Sequence, residues 1–185
     1  MVPLNVPNVL TMVRILLVPV LVVALLANTG SGDLLAAIVF AAASVTDAID
    51  GRLARAQGSV TTFGKLMDPL ADKLLVMGAL ISLVSLNRLE AWVAMVIIAR
   101  EFAVTVLRVA AGAQGVVISA SAFGKVKTAA QVLMVMLLIA ENGHRPVWLD
   151  VIVYVTVVIT VLSGADYFFG VSKRFGARPA SSPES

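Results

Sequence analysis

Six apolar stretches, near residues 9–27, 33–50, 66–86, 91–110, 119–140 and 147–170, dominate the chain. Each is long enough for an α-helix to cross about 30 Å of hydrocarbon. Inside lipid every backbone N–H and C=O must be satisfied within the protein, which leaves helices or a closed β-barrel. No stretch shows the alternation of polar and apolar residues that a barrel strand needs. The expected fold is therefore an all-α integral membrane protein, a bundle of six transmembrane helices joined by the short connections "NTGSGD", "LNRLE", "GAQG" and "ENGHRP". Composition agrees, since 59% of the 185 residues are hydrophobic against about 45–50% in soluble domains.

That length holds one compact unit, so residues 1–172 are expected to form a single membrane domain and residues 173–185 a basic, disordered cytoplasmic tail. The N-terminal "MVPLNVPNVLTMVR" has no basic segment ahead of its apolar run and no small-residue cleavage site, so it reads as part of the first span. The absence of cysteine excludes disulfides and thiolate metal sites. A net charge of +3 does not point to nucleic acid.

An even number of spans puts both termini on one side. The flanks on that side hold Arg52, Arg55, Lys65, Arg108, Lys125, Lys127, Lys173, Arg174 and Arg178, whereas the other side holds only Arg88 and Arg145, with Asp33, Glu90, Glu141 and Asp150. Lysine and arginine accumulate in cytoplasmic flanks, so the basic side is expected to face the cytoplasm, in the cell membrane.

That orientation places an acidic cluster at the inner surface. Asp47 and Asp50 stand three residues apart at the end of the second span, and Asp68 and Asp72 four apart at the start of the third, so each pair shares a helical face. An antiparallel helix pair brings the four together, where they repel one another unless they bind protons or cations. An all-oxygen set without His or Cys suits Mg²⁺ or Mn²⁺ and disfavours zinc. Two such ions are the arrangement that phosphoryl-transfer enzymes use on a diphosphate. The guanidinium of Arg55 can grip phosphate oxygens, and Gly51 and Ala54 leave room for a nucleotide. The rival account of these carboxylates is interfacial charge paired with Arg52, Arg55, Lys65 and Lys73.

The stretch reads D-x2-D-G-x2-A-R-x8-G-x3-D-x3-D through Asp47, Asp50, Gly51, Ala54, Arg55, Gly64, Asp68 and Asp72. It resembles, without departure, the signature of the CDP-alcohol phosphotransferases, and the six-span frame extends the resemblance over nearly the whole chain. The resemblance implies an enzyme in which an alcohol attacks a CDP-linked phosphorus, CMP leaves, and divalent metal is required. By position, Asp47, Asp50, Asp68 and Asp72 would hold two ions, and Asp72 would also take the proton of the attacking hydroxyl. Gly51, Ala54, Arg55 and Thr61 would contact the CDP moiety. "PNVLT" resembles the family's segment at the nucleotide end of the site, making Asn8 and Thr11 further CDP contacts, although Asn8 also suits a plain helix N-cap. The family also implies a homodimer.

The acceptor rests on other residues. "AREF" puts Arg100 and Glu101 in the body of the fourth span, where each costs about 2.5–3.5 kcal/mol at mid-bilayer unless it faces a polar cavity or the two pair with each other. "FGKVKTAAQ" puts Lys125 and Lys127 at the start of the fifth span, about 200° apart, so one undistorted helix cannot aim both into one cavity. Together these segments resemble the family members whose acceptor is sn-glycerol 3-phosphate, with Arg100, Lys125 and Lys127 binding the acceptor phosphate. The expected reaction is transfer of the phosphatidyl group from CDP-diacylglycerol to sn-glycerol 3-phosphate, giving phosphatidylglycerophosphate and CMP in phospholipid biosynthesis. An inositol phosphate acceptor, or phosphatidylglycerol as in a cardiolipin synthase, remains the alternative within the family. A cation transporter is the distant one, which would need acidic residues on the external halves of the spans. His144, beside Arg145 in an external loop, reads as solvated, and Asp166 carries no assigned role.

Overall fold

The computed structural model describes the backbone of residues 6–57, 62–113 and 122–176; side chains at 6–8, 47–57, 62–69, 72, 113, 122 and 171–176 lie outside the description. Among the described residues there are six α-helices and no strand: α1 (Val6–Leu26), α2 (Gly30–Gln57), α3 (Thr62–Ser85), α4 (Ala91–Ala113), α5 (Ala122–Ala140) and α6 (Val147–Gly176). α1 packs against both α2 and α3; α2 also meets α5, α5 meets α6, α6 meets α4, and α3 meets α4 and α5.

The same device ends each of the three helices that arrive at one end of the bundle. Asn28, Asn87 and Asn142 follow α1, α3 and α5 with φ of 50°, 56° and 47°, the left-handed conformation that asparagine tolerates better than other non-glycine residues. Their backbone N–H groups return to Leu25, Val84 and Ile139 at 2.9, 3.0 and 3.2 Å and satisfy carbonyls the helix leaves open. α2 then starts on a Thr29 cap, whose hydroxyl accepts the Gly32 N–H at 3.1 Å. A Cβ on Gly32 would stand 2.5 Å from the Ala24 carbonyl oxygen, so only glycine lets α2 leave α1 this closely.

This three-loop end is tied by Arg88. Its guanidinium donates to both carboxylate oxygens of Asp33 at 2.8 and 3.0 Å, and to the side-chain oxygens of Asn28 and Asn142 at 2.7 and 3.0 Å. One side chain thereby joins the α1–α2, α3–α4 and α5–α6 connections. Arg145 makes a second, more exposed link, donating to Glu90 and to Asp150, each at 2.6 Å. The Glu90 hydrogen bond first, and that of Asp150 with it, hold the Arg145 guanidinium protonated beyond its ordinary range. His144 belongs to this end, with Nδ1 3.1 Å from the Glu141 carbonyl oxygen.

The main core fills the half of the bundle beside these loops. Leu21, Leu25, Phe40, Leu75, Leu80, Leu83, Ile97, Met134 and Ile139 are fully buried there. Gly78 lets α3 approach α1, since an added Cβ would stand 3.3 Å from Val18 and Val22. The outer faces are apolar too: Leu16, Val23, Met95 and Val109 are each about 70% exposed, which suits lipid rather than water.

Among the described residues, three helices carry stretches long and apolar enough to cross a membrane: Val9–Leu26, Phe123–Ala140 and Val147–Gly170. Shorter apolar segments among the described residues are Gly30–Thr46 of α2 and Lys73–Ser85 of α3, and α4 carries Arg100, Glu101 and Arg108 in its body. The helical backbone of α2 and α3 extends beyond these segments, because the backbone ladder does not depend on side-chain polarity. α6 runs on to Gly176, so Lys173 and Arg174 are helical rather than the start of a tail.

Candidate active site

At the end opposite Arg88, the helices that carry the signature residues bring their polar segments in. Asp47, Asp50, Gly51, Ala54 and Arg55 lie on the last turns of α2, and Asp68 and Asp72 on the first turns of α3. Their side chains, and that of Asn8 on α1, lie outside the described residues, as does Thr61 altogether. Thr11 is described and is buried on α1, 3% exposed.

From α4, α5 and α6 the structure assembles a largely enclosed ionic cluster. The Arg100 guanidinium donates through Nη1 to Glu101 Oε1 at 3.1 Å and through Nη2 to Ser163 Oγ at 2.8 Å. Lys127 Nζ donates to the same Glu101 Oε1. Ser163 uses both of its capacities, accepting from Arg100 and donating to the Thr160 carbonyl at 3.0 Å. Arg100 Nε is buried without a hydrogen-bond partner. The arginine stem lies across Gly164, where a Cβ would stand 3.1 Å from Arg100 Cγ. A side chain there would require the arginine stem to give way by a few tenths of an ångström.

α5 presents its two lysines as unlike groups. Lys127 is buried, 5% exposed, whereas Lys125 is exposed. The roughly 200° between them forces this division, and the packing of α5 decides which one turns inward. One turn further along α5, the buried Gln131 faces Thr160 of α6. Thr156, Thr160 and Ser163 are all fully buried, so a polar seam runs between α5 and α6 through an otherwise apolar interface. Arg108 lies over the Tyr167 ring, 5.7 Å from its centroid, rather than against the exposed Asp166.

On α3, Lys73 follows Asp72 and is partly buried. Sequence alone offers Arg100 and Glu101 either a cavity or each other; in the structure they pair, and Lys127 joins them. Ser163 and Gly164 had no part in the sequence reading, and their one visible mark is a small polar pair in the apolar body of α6.

Comparison with known proteins bears on the chain as a whole. A family model described as CDP-alcohol phosphatidyltransferase matches residues 4–162. A protein of Bacillus subtilis (strain 168) described as a CDP-diacylglycerol–glycerol-3-phosphate 3-phosphatidyltransferase is 42% identical over 180 residues, covering 89% of this chain and 93% of its own. One from Rickettsia felis with the same description is 36% identical over 176 residues, covering 92% and 97%. A protein of Mycobacterium tuberculosis (strain ATCC 25618 / H37Rv) described as a probable phosphatidylglycerophosphate synthase is 41% identical over 167 residues, covering 88% and 79%. The chain belongs to the CDP-alcohol phosphatidyltransferase family. It is thus a membrane enzyme of phosphatidyl transfer, with the signature segment spanning α2 and α3.

Proposed function

We propose that the protein transfers the phosphatidyl group of CDP-diacylglycerol to sn-glycerol 3-phosphate, releasing CMP and phosphatidylglycerophosphate. The observation that carries this reading is the convergence of Arg100 and the buried Lys127 on Glu101 in the membrane-spanning body of the bundle. Two cations held together there suit a dianionic acceptor phosphate. The names of the relatives from B. subtilis and R. felis point the same way.

The chemistry assigned to the chain is a displacement at phosphorus. Asp72 accepts the proton of the acceptor hydroxyl as its oxygen bonds to the phosphatidyl phosphorus, and the bond from that phosphorus to the CMP oxygen breaks. Arg100 and Lys127 hold the acceptor by its phosphate and present the hydroxyl. Asn8, Thr11, Gly51, Ala54, Arg55 and Thr61 bind the CDP portion, with Arg55 on its phosphate oxygens.

Asp47, Asp50, Asp68 and Asp72 are the residues that would hold two divalent ions. The donor set fits: it is all oxygen, paired by register at three and four residues on the facing ends of α2 and α3, with the lone His144 at the other end of the bundle. Bound Mg²⁺ or Mn²⁺ would supply charge neutralisation at the diphosphate. Chelation with EDTA is expected to abolish CMP release and either ion to restore it; undiminished turnover in chelator would refute the assignment.

In this reading all six helices span the cell membrane, with both termini and the active site facing the cytoplasm. CDP-diacylglycerol enters sideways from the bilayer and glycerol 3-phosphate from the water. The distribution of lysine and arginine supports that orientation, and a homodimer is the expected assembly.

The test is CMP release by the full chain in mixed micelles with CDP-diacylglycerol, with and without glycerol 3-phosphate. Release dependent on glycerol 3-phosphate is expected; exclusive use of inositol phosphate or phosphatidylglycerol would overturn the acceptor. Within the same assay the two lysines separate. Lys127→Met is expected to raise KM for glycerol 3-phosphate about 10–100-fold, the scale of one charge-assisted hydrogen bond, while Lys125→Met stays within about threefold of the parent. Equal effects of the two substitutions would show that the inward face of α5 is not the acceptor side.

A further inference from the structure

We propose that Glu101 is the resident counter-ion of the acceptor pocket, a built-in stand-in for the incoming phosphate that a dianionic ligand must displace. This rests on the reading of Arg100 and Lys127 as acceptor-phosphate residues, and adds to it a residue that determines specificity.

Both cations converge on one atom. Arg100 Nη1 and Lys127 Nζ each donate to Glu101 Oε1. Two cationic side chains from different helices thus share one carboxylate oxygen. Arg100 also has unused capacity, because Nε is buried with no hydrogen-bond partner although Nη1 and Nη2 are engaged. A phosphate monoester offers two negative charges and enough oxygens to take the donors now held by Oε1, together with the idle Nε.

The two ends of the arginine are held differently. On the α6 side Ser163 fixes Nη2 and Gly164 gives the stem its seat, both within packed helix. On the other side the Glu101 side chain retains 17% exposure against 6% for Lys127, so it is not enclosed on every side. Binding therefore exchanges one anion for another over cations that stay in place. A neutral polyol has no charge with which to displace Glu101, and so the carboxylate excludes acceptors lacking a phosphate.

Glu101→Gln removes the internal competitor while preserving its size. The purified full chain in mixed micelles is melted against increasing inorganic phosphate, and its KM and kcat for glycerol 3-phosphate are measured alongside. The variant is expected to melt lower without phosphate, since Arg100 and Lys127 lose the carboxylate they share. Its half-saturating phosphate concentration should fall about tenfold, the scale of one charge-assisted hydrogen bond no longer competed for. KM for glycerol 3-phosphate should fall with it. An unchanged or weaker phosphate response would overturn the proposal, because a carboxylate that only organises the cations predicts poorer anion binding once it is gone.

Glu101→Asp supplies the second measurement should Glu101→Gln not fold. Its carboxylate, shorter by one methylene, holds the cations less well, so its phosphate affinity should lie between parent and Glu101→Gln; weaker binding than the parent refutes the idea. Phosphatidic acid in the micelle is the comparison arm, and a larger gain for it than for glycerol 3-phosphate would overturn the choice of a soluble ligand. If the parent chain releases CMP without needing glycerol 3-phosphate, the acceptor assignment itself fails. If that dependence holds and neither variant gains phosphate affinity, only the role of Glu101 fails.

Discussion

Asp72→Asn is expected to leave a folded protein whose turnover is lower by about 10²–10⁴-fold, the usual contribution of a positioned general base. Asparagine matches aspartate in size and keeps a carbonyl oxygen, so the third residue of the signature's second half still fits its turn of α3. What it cannot do is accept a proton. The acceptor hydroxyl would then have to lose its proton to water while attacking, and the barrier rises accordingly. Because Asp72 is also assigned as one of four metal-holding carboxylates, part of the loss should be recoverable at high Mg²⁺ or Mn²⁺ and part should not. The unrecovered part belongs to the base. The measurement is CMP release at saturating substrates across a metal titration, with a thermal melt to show that the fold is retained. Asp166→Asn is the control: this aspartate is exposed on α6, outside the signature, and its loss should leave turnover within about twofold. Parent-like turnover in Asp72→Asn would remove the base from the mechanism.

The helices were legible in the sequence because the lipid solvent enforces a simple rule. An apolar run near twenty residues must be helical there, and the predicted spans 9–27, 91–110 and 147–170 fall within or beside α1, α4 and α6. Ends were less legible where apolarity and helicity part company. α2 continues seven residues beyond the predicted limit at 50, through Arg52 and Arg55 to Gln57, since polar side chains at a membrane surface do not break a helix. The signature segment was legible in full as a pattern, because its spacing maps directly onto helical register. The acceptor cluster was legible only as candidates. Periodicity gave the angle between Lys125 and Lys127 but not the phase of α5 within the bundle, which depends on packing against α6 and α2. Glu101 looked like a partner for its neighbour Arg100; that Lys127 shares the same oxygen is a contact across 26 residues that no local pattern encodes. Ser163 and Gly164 acquire meaning only from Arg100 on another helix.

Arg88 was the least legible residue of all, and its replacement is expected to have the largest effect on stability. In "LNRLE" it looks like any solvated loop arginine, yet its side chain is 4% exposed and that of Asp33 6%. Burial follows from the three asparagine caps. Each turns its chain through the left-handed region, and two of them, Asn28 and Asn142, present side-chain oxygens to the one guanidinium. Arg88→Leu removes the donors and leaves Asp33 as a buried carboxylate with no counter-charge, a change that costs about 3–5 kcal/mol when one partner of a buried pair is deleted. Asp33 retains only the field of the α2 N-terminus, in whose first turn it sits. A thermal melt in micelles should show a marked fall in midpoint, with glycerol 3-phosphate KM little changed at temperatures where the variant is folded, because the partners of Arg88 are Asp33, Asn28 and Asn142, none of them in the Arg100 cluster. Arg88→Lys should recover part of the loss, keeping the charge but not the two-pronged grip on Asp33. Adding Asp33→Asn to Arg88→Leu should cost less than the sum of the single changes, since the stranded carboxylate is then gone. Strict additivity would mean that the pair does not act as a unit, and a midpoint unchanged in Arg88→Leu would mean that the three loops are held by their caps and the apolar core alone.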